Sequence, residues 1–148
     1  MKRNSRKLVL ALTTAVVLGA ITASAQVYKY YSPGTVWTVT CIRIKPGMDQ
    51  AYLNYLDSQF KRESDAMVKA GYMKSYKILR TMDDDSSWNM LILREYKNLA
   101  SIEADTEKAD ELSRQVAGDD KVQMAGYEDR AKIREVMGTK TARELILK

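Results

Sequence analysis

The stretch Val36-Trp37-Thr38-Val39-Thr40-Cys41-Ile42-Arg43-Ile44 decides the fold. Its β-branched and aromatic content marks a strand, and Pro46-Gly47 breaks it. A strand covered on one side alternates apolar with polar residues. This one does not: Val36, Ile42 and Ile44 share one face, and Trp37, Val39 and Cys41 share the other. Both sides of the sheet are therefore expected to be covered.

Downstream, Asp49 is suited to cap a helix that runs to about Ala70, with Leu53, Leu56, Phe60, Met67 and Val68 on one stripe. Gly71 supplies a left-handed stop. Strands are predicted over Tyr72–Thr81 and Trp88–Tyr96, joined by the polar hairpin Asp83-Asp84-Asp85-Ser86-Ser87. Asn98 or Ser101 opens a second helix carrying Leu99, Ile102, Ala109, Leu112 and Val116, which Gly118 ends. A third helix is expected from about Asp120 to Met137, stopped by Gly138, with a last strand over Lys140–Leu147. The order β-α-β-β-α-(α)-β predicts an α+β, ferredoxin-like plait: an antiparallel four-stranded sheet with helices on one face.

The later strands repeat the two-sided pattern. Trp88, Met90, Ile92 and Tyr96 oppose Leu91 and Leu93, and Leu145 and Leu147 oppose Ile146. A domain this small has helices for one face, and soluble monomers seldom expose more than a few hundred Å² of contiguous apolar surface. A second copy packed sheet against sheet would cover the rest, giving a two-fold homodimer in which Ile92 is expected at the interface. A patch of ~800 Å² per partner, somewhat over half apolar, offers of order 20 kcal/mol before association costs.

Outside this domain, Lys2, Arg3, Arg6 and Lys7 precede an apolar run from Leu8 to Ile21 that ends at Ala23-Ser24-Ala25. That is the layout of a cleaved secretory signal peptide, too short for the ~20 residues of a bilayer span. The expected organisation is residues 1–25 as signal peptide, 26–35 as an aromatic arm and 36–148 as one domain. The expected location is the periplasm or the extracellular medium, without membrane attachment after cleavage.

Cleavage removes four of the 24 basic residues and none of the 19 acidic ones, which leaves a net charge of +1. Lys and Arg interleave with Asp and Glu throughout, so no nucleic-acid-binding face is expected. The chain has no His and one Cys. That excludes His-based triads, His-ligated haem or zinc, an intramolecular disulfide and Cys-cluster metal sites.

Two segments carry a family likeness. Ile44-Lys45-Pro46-Gly47-Met48 followed by Tyr52, and Glu95-Tyr96-Lys97-Asn98-Leu99-Ala100-Ser101-Ile102-Glu103-Ala104, resemble the first strand-to-helix junction and the third-strand exit of the dimeric α/β-barrel superfamily. The resemblance covers most of residues 36–148. The superfamily includes antibiotic-biosynthesis-type monooxygenases, haem-degrading and haem-binding members, and small exported proteins of unassigned function, which this chain resembles most. Many members carry a His just after the position of Ala104; here Asp105 stands there. No cofactor is implied.

Candidate site residues are few. Trp88-Asn89 at a strand start, with Trp37 on the first strand, would orient and polarise an aromatic substrate, although large aromatics more often simply fill a core. Tyr72 and Tyr76 are expected on one face of the second strand, with Arg43 and Arg143 directed into the same sheet. An Arg beside Tyr hydroxyls suits an anionic or phenolic ligand, while ion pairs with Glu95 or Glu144 are the plainer expectation. Asp83-Asp84-Asp85 lacks calcium-loop spacing and reads as a solvated turn, and Cys41 reads as a small buried hydrophobe. The favoured function is a non-catalytic exported dimer that binds a small apolar or aromatic molecule through Trp37, Tyr76, Trp88, Asn89 and Arg43. Its rival is a cofactor-independent monooxygenase or isomerase acting on an aromatic substrate.

Overall fold

The computed structural model describes residues 29–82 and 87–148. The signal peptide, residues 26–28 of the arm and the hairpin residues Asp83–Ser86 lie outside the described residues. The chain forms two compact units, one reaching Gly34 and including Leu145–Lys148, the other Thr35–Glu144. In the first, the Lys148 amide donates to the Tyr30 carbonyl at 3.1 Å, and the Lys29 ammonium lies 5.4 Å from the Tyr30 ring centroid.

Four strands form one sheet: β1 (Tyr31–Ile44), β2 (Ser75–Arg80), β3 (Met90–Tyr96) and β4 (Arg134–Leu147), in the order β2-β3-β1-β4. β3 runs antiparallel to β1, with Val36 opposite Tyr96 and Ile42 opposite Met90. It is also antiparallel to β2, with Ser75 opposite Glu95 and Arg80 opposite Met90. The fold is the expected ferredoxin-like plait. β1 starts earlier than expected, at Tyr31, so the end of the anticipated arm is strand.

The first helix is continuous but changes winding. α1 (Asp49–Tyr55) passes into a π-helical turn (Leu56–Phe60) and then into α2 (Lys61–Ala70). Tyr52, Leu56, Phe60 and Ser64 are all buried, a run of four-residue steps. Such a run drifts around an ordinary helix of 3.6 residues per turn, and the wider π turn brings it back onto one face. Leu53, expected on the buried stripe, is accordingly 42% exposed, while Tyr52 is fully buried. Gly71 ends α2 at φ 81°, and the amides of Tyr72 and Met73 both donate to the Met67 carbonyl. Tyr72 therefore belongs to the turn before β2, not to the strand with Tyr76.

α3 (Leu99–Ala117) starts at a reciprocal cap, where the Asn98 side chain accepts from the Ser101 amide and the Ser101 hydroxyl accepts from the Asn98 amide. α4 (Asp120–Ile133) is capped by Asp119. It stops four residues before the expected Met137, because Arg134–Met137 already pair as strand. The Lys45 amide donates to the Ile133 carbonyl, and Arg43 meets Glu135 at 3.6 Å. Farther along, the Thr40 and Thr139 hydroxyls lie 3.0 Å apart. From 43 to 40 is three residues on β1, whereas 135 to 139 is four on β4. β4 thus carries one extra residue between these contacts, a bulge. Gly138 sits there at φ 152°, inside the strand rather than ending a helix.

The core lies where Ile42, Ile44, Met90 and Ile92 meet Tyr52, Leu56 and Phe60. Ile92 is 5% exposed on this helix-covered side, which corrects its expected place at a dimer interface. By register the opposite side carries Trp37, Val39, Cys41, Leu91 and Leu93, all half-buried, and Leu79, which is 50% exposed. Cys41 is thus less buried than expected. Among the described residues no helix is long and apolar enough to cross a membrane.

Candidate functional site

The residues singled out from sequence do not gather at one place. Trp37 lies on the side of the sheet away from the described helices, with the Lys77 ammonium 5.6 Å from its ring centroid. Tyr76 lies on the other side: its hydroxyl donates to Asp65 at 2.8 Å, and its ring meets Phe60 edge-on at 5.6 Å. The Asn89 amide group holds the end of β1, its Oδ1 accepting from the Ile44 amide at 2.8 Å and its Nδ2 donating to the Ile44 carbonyl at 3.3 Å. Arg43 donates from Nε to the Ser87 carbonyl at 2.6 Å and pairs with Glu135. Trp88 is half-buried ahead of β3. Arg143 is exposed, and Glu95 is bound by Ser75 and Lys74, not by an arginine.

A different set of residues does converge. Between the sheet and the helices lies a cleft of about 290 Å³. β3 brings Arg94 to it, α4 brings Tyr127 and Arg130, β4 brings Arg134, and α1 brings Tyr52 and Tyr55. Arg130 is 8% exposed and is sandwiched between Tyr55 and Tyr127, with ring centroids at 4.7 and 4.5 Å. Arg134 faces the Tyr52 ring at 5.6 Å, and Arg94 faces Phe60 at 5.2 Å. Among the described residues none of these three arginines has a carboxylate at ion-pair distance. The Nε atoms of Arg130 and Arg134 and the Tyr52 hydroxyl are shielded and have no hydrogen-bond partner.

Burial holds the Tyr52 and Tyr55 hydroxyls above the ordinary tyrosine range, against the pull of the neighbouring arginines. Both remain neutral phenols near pH 7. The cleft is therefore rich in donors and positive charge, with Glu63 as its carboxylate. Such a lining suits an acceptor-rich anion. Among the described residues no cluster of Asp, Glu or Cys is arranged to hold a metal ion.

No protein-family model matches the chain, and no curated protein sequence does either. Several solved structures are similar in backbone course. HapK from Hahella chejuensis is 10% identical at a TM-score of 0.49, the match covering 74% of this chain and 92% of that one. A dimeric ferredoxin-like protein from an uncultured marine organism is 15% identical at a TM-score of 0.49, covering 79% and 98%. A NIPSNAP family protein of unknown function from Agrobacterium tumefaciens is 9% identical at a TM-score of 0.46, covering 78% and 90%.

Sequence reasoning missed the cleft because its arginines come from three separate elements. The local signal was present: Tyr127, Arg130 and Arg134 follow one another at three- and four-residue spacing, and Tyr52 and Tyr55 do so at three. Nothing in that spacing says that the two groups face each other.

Proposed function

We propose that the protein is an exported, non-catalytic homodimer that holds a small molecule with aromatic or apolar character in the cleft between sheet and helices. The observation that carries the binding reading is the meeting of Arg94, Arg130 and Arg134 over aromatic faces with no carboxylate partner among the described residues. A buried charge without a counter-charge is unfavourable, so this arrangement favours a site completed by a ligand. The rival catalytic reading calls for an Asn89 amide free to polarise a substrate; that amide is engaged by Ile44. Export is supported by the basic, apolar and small-residue succession of residues 1–25. Dimerisation is supported by the apolar residues that the helices leave uncovered, Trp37, Val39, Leu79, Leu91 and Leu93.

Native mass spectrometry of the protein purified from its host tests the reading. The expected spectrum is twice the mass of the chain without its signal peptide, plus a small organic molecule. A spectrum with no adduct, together with no thermal shift across a panel of small organic acids, overturns the binding function.

A further inference from the structure

We infer that the molecule taken by the cleft is an amphipathic carboxylate, its head among Arg94, Arg130 and Arg134 and its apolar tail in an adjoining chamber between α2, α3 and the sheet. This inference rests on the binding reading above and narrows it to a chemical class.

The head site has the features of a built anion site. Arg130 is more than nine-tenths buried, and the aromatic faces beside it offset part of its desolvation but supply no acceptor. Its guanidinium has room because residue 126 is Gly; a Cβ there would fall 2.9 Å from Arg130 Nη1. Three arginines against Glu63 leave the cleft with excess positive charge.

The tail site is a second cavity of about 190 Å³, where Met67, Met73 and Tyr96 supply much of the apolar lining. The two cavities have Phe60, Glu63, Arg94 and Ser113 in common, so they share a wall rather than lying apart. Methionines adapt to irregular apolar shapes, which suits a flexible chain. A purely polar anion would leave this second chamber empty, and a neutral hydrocarbon would leave the arginines without a counter-charge. A carboxylate on an apolar tail serves both.

Calorimetric titration of the signal-free protein with octanoate, 1-octanol and succinate tests this. Octanoate is expected to bind at least about tenfold more tightly than either comparison, and Arg130→Gln to weaken it by about tenfold or more. If Arg130→Gln does not fold, Arg94→Gln at a half-buried position provides the same readout. Succinate or octanol binding as tightly as octanoate overturns the inference, as does octanoate binding that is unchanged in a folded arginine variant. Failure of octanoate while native mass spectrometry still finds another bound molecule overturns the class and leaves the binding function standing. Failure of both overturns both.

Discussion

Glu95 is the residue whose surroundings make the firmest statement about pH. It sits on β3, accepting from the Ser75 hydroxyl at 2.6 Å and from the Lys74 ammonium at 2.9 Å. Those contacts, the Ser75 hydrogen bond first, hold its carboxyl down to about 2. A carboxyl depressed on folding contributes stability that is complete above its unfolded pKa and is lost as pH falls toward the folded value. The melting temperature should therefore fall as pH drops from about 5 to about 2, and Glu95→Gln should flatten part of that fall. At pH 7 the same variant should cost about 1 kcal/mol. Matched melting curves at pH 7 and pH 3 check both; an unchanged acid limb in the variant would remove Glu95 from the account.

For single elements, helix boundaries written in capping chemistry were legible in part: Asp49, expected to cap the first helix, instead lies in its first turn after Met48, which makes no side-chain cap. Asn98 caps α3 as expected, and Asn98→Ala should lower stability by about 1 kcal/mol, read as a shift of several degrees in the melting temperature. Gly71 likewise stops α2 in the left-handed conformation. The boundary between α4 and β4 was not legible. Arg134, Glu135 and Met137 are good helix formers, and they are strand because β1, about ninety residues earlier, pairs with them. Long-range pairing outweighs a propensity difference of a few tenths of a kcal/mol per residue. The π turn escaped notice for a related reason: a four-residue apolar step looks like an ordinary helical spacing until several follow in succession.

On the scale of the whole molecule, the two-sided apolar pattern predicted that both faces of the sheet are covered, and the structure tells which face lies under the helices. Ile92 lies under the helices, so Leu93, opposite Val39 and Lys77, is the position that probes association. Leu93→Lys should halve the mass seen by light scattering at micromolar concentration while circular dichroism stays unchanged. A wild-type protein that is already monomeric there would refute sheet-to-sheet pairing. The arginine-lined cleft was hidden at this scale too, since Arg94, Arg130 and Arg134 come together only after the chain has closed its sheet.

The additional residue in β4 also governs how this chain tolerates changes in length. Before Gly138, odd-numbered Glu135 lies on the same side as Arg43; after it, odd-numbered Thr139 meets Thr40 on the opposite side, and even-numbered Glu144 reaches Thr35. Excising one amino acid here would act like a frameshift in three dimensions. Every later letter would stay the same, yet the Thr139 hydroxyl would be turned away from Thr40 and Glu144 away from Thr35, inverting the ribbon without altering its composition.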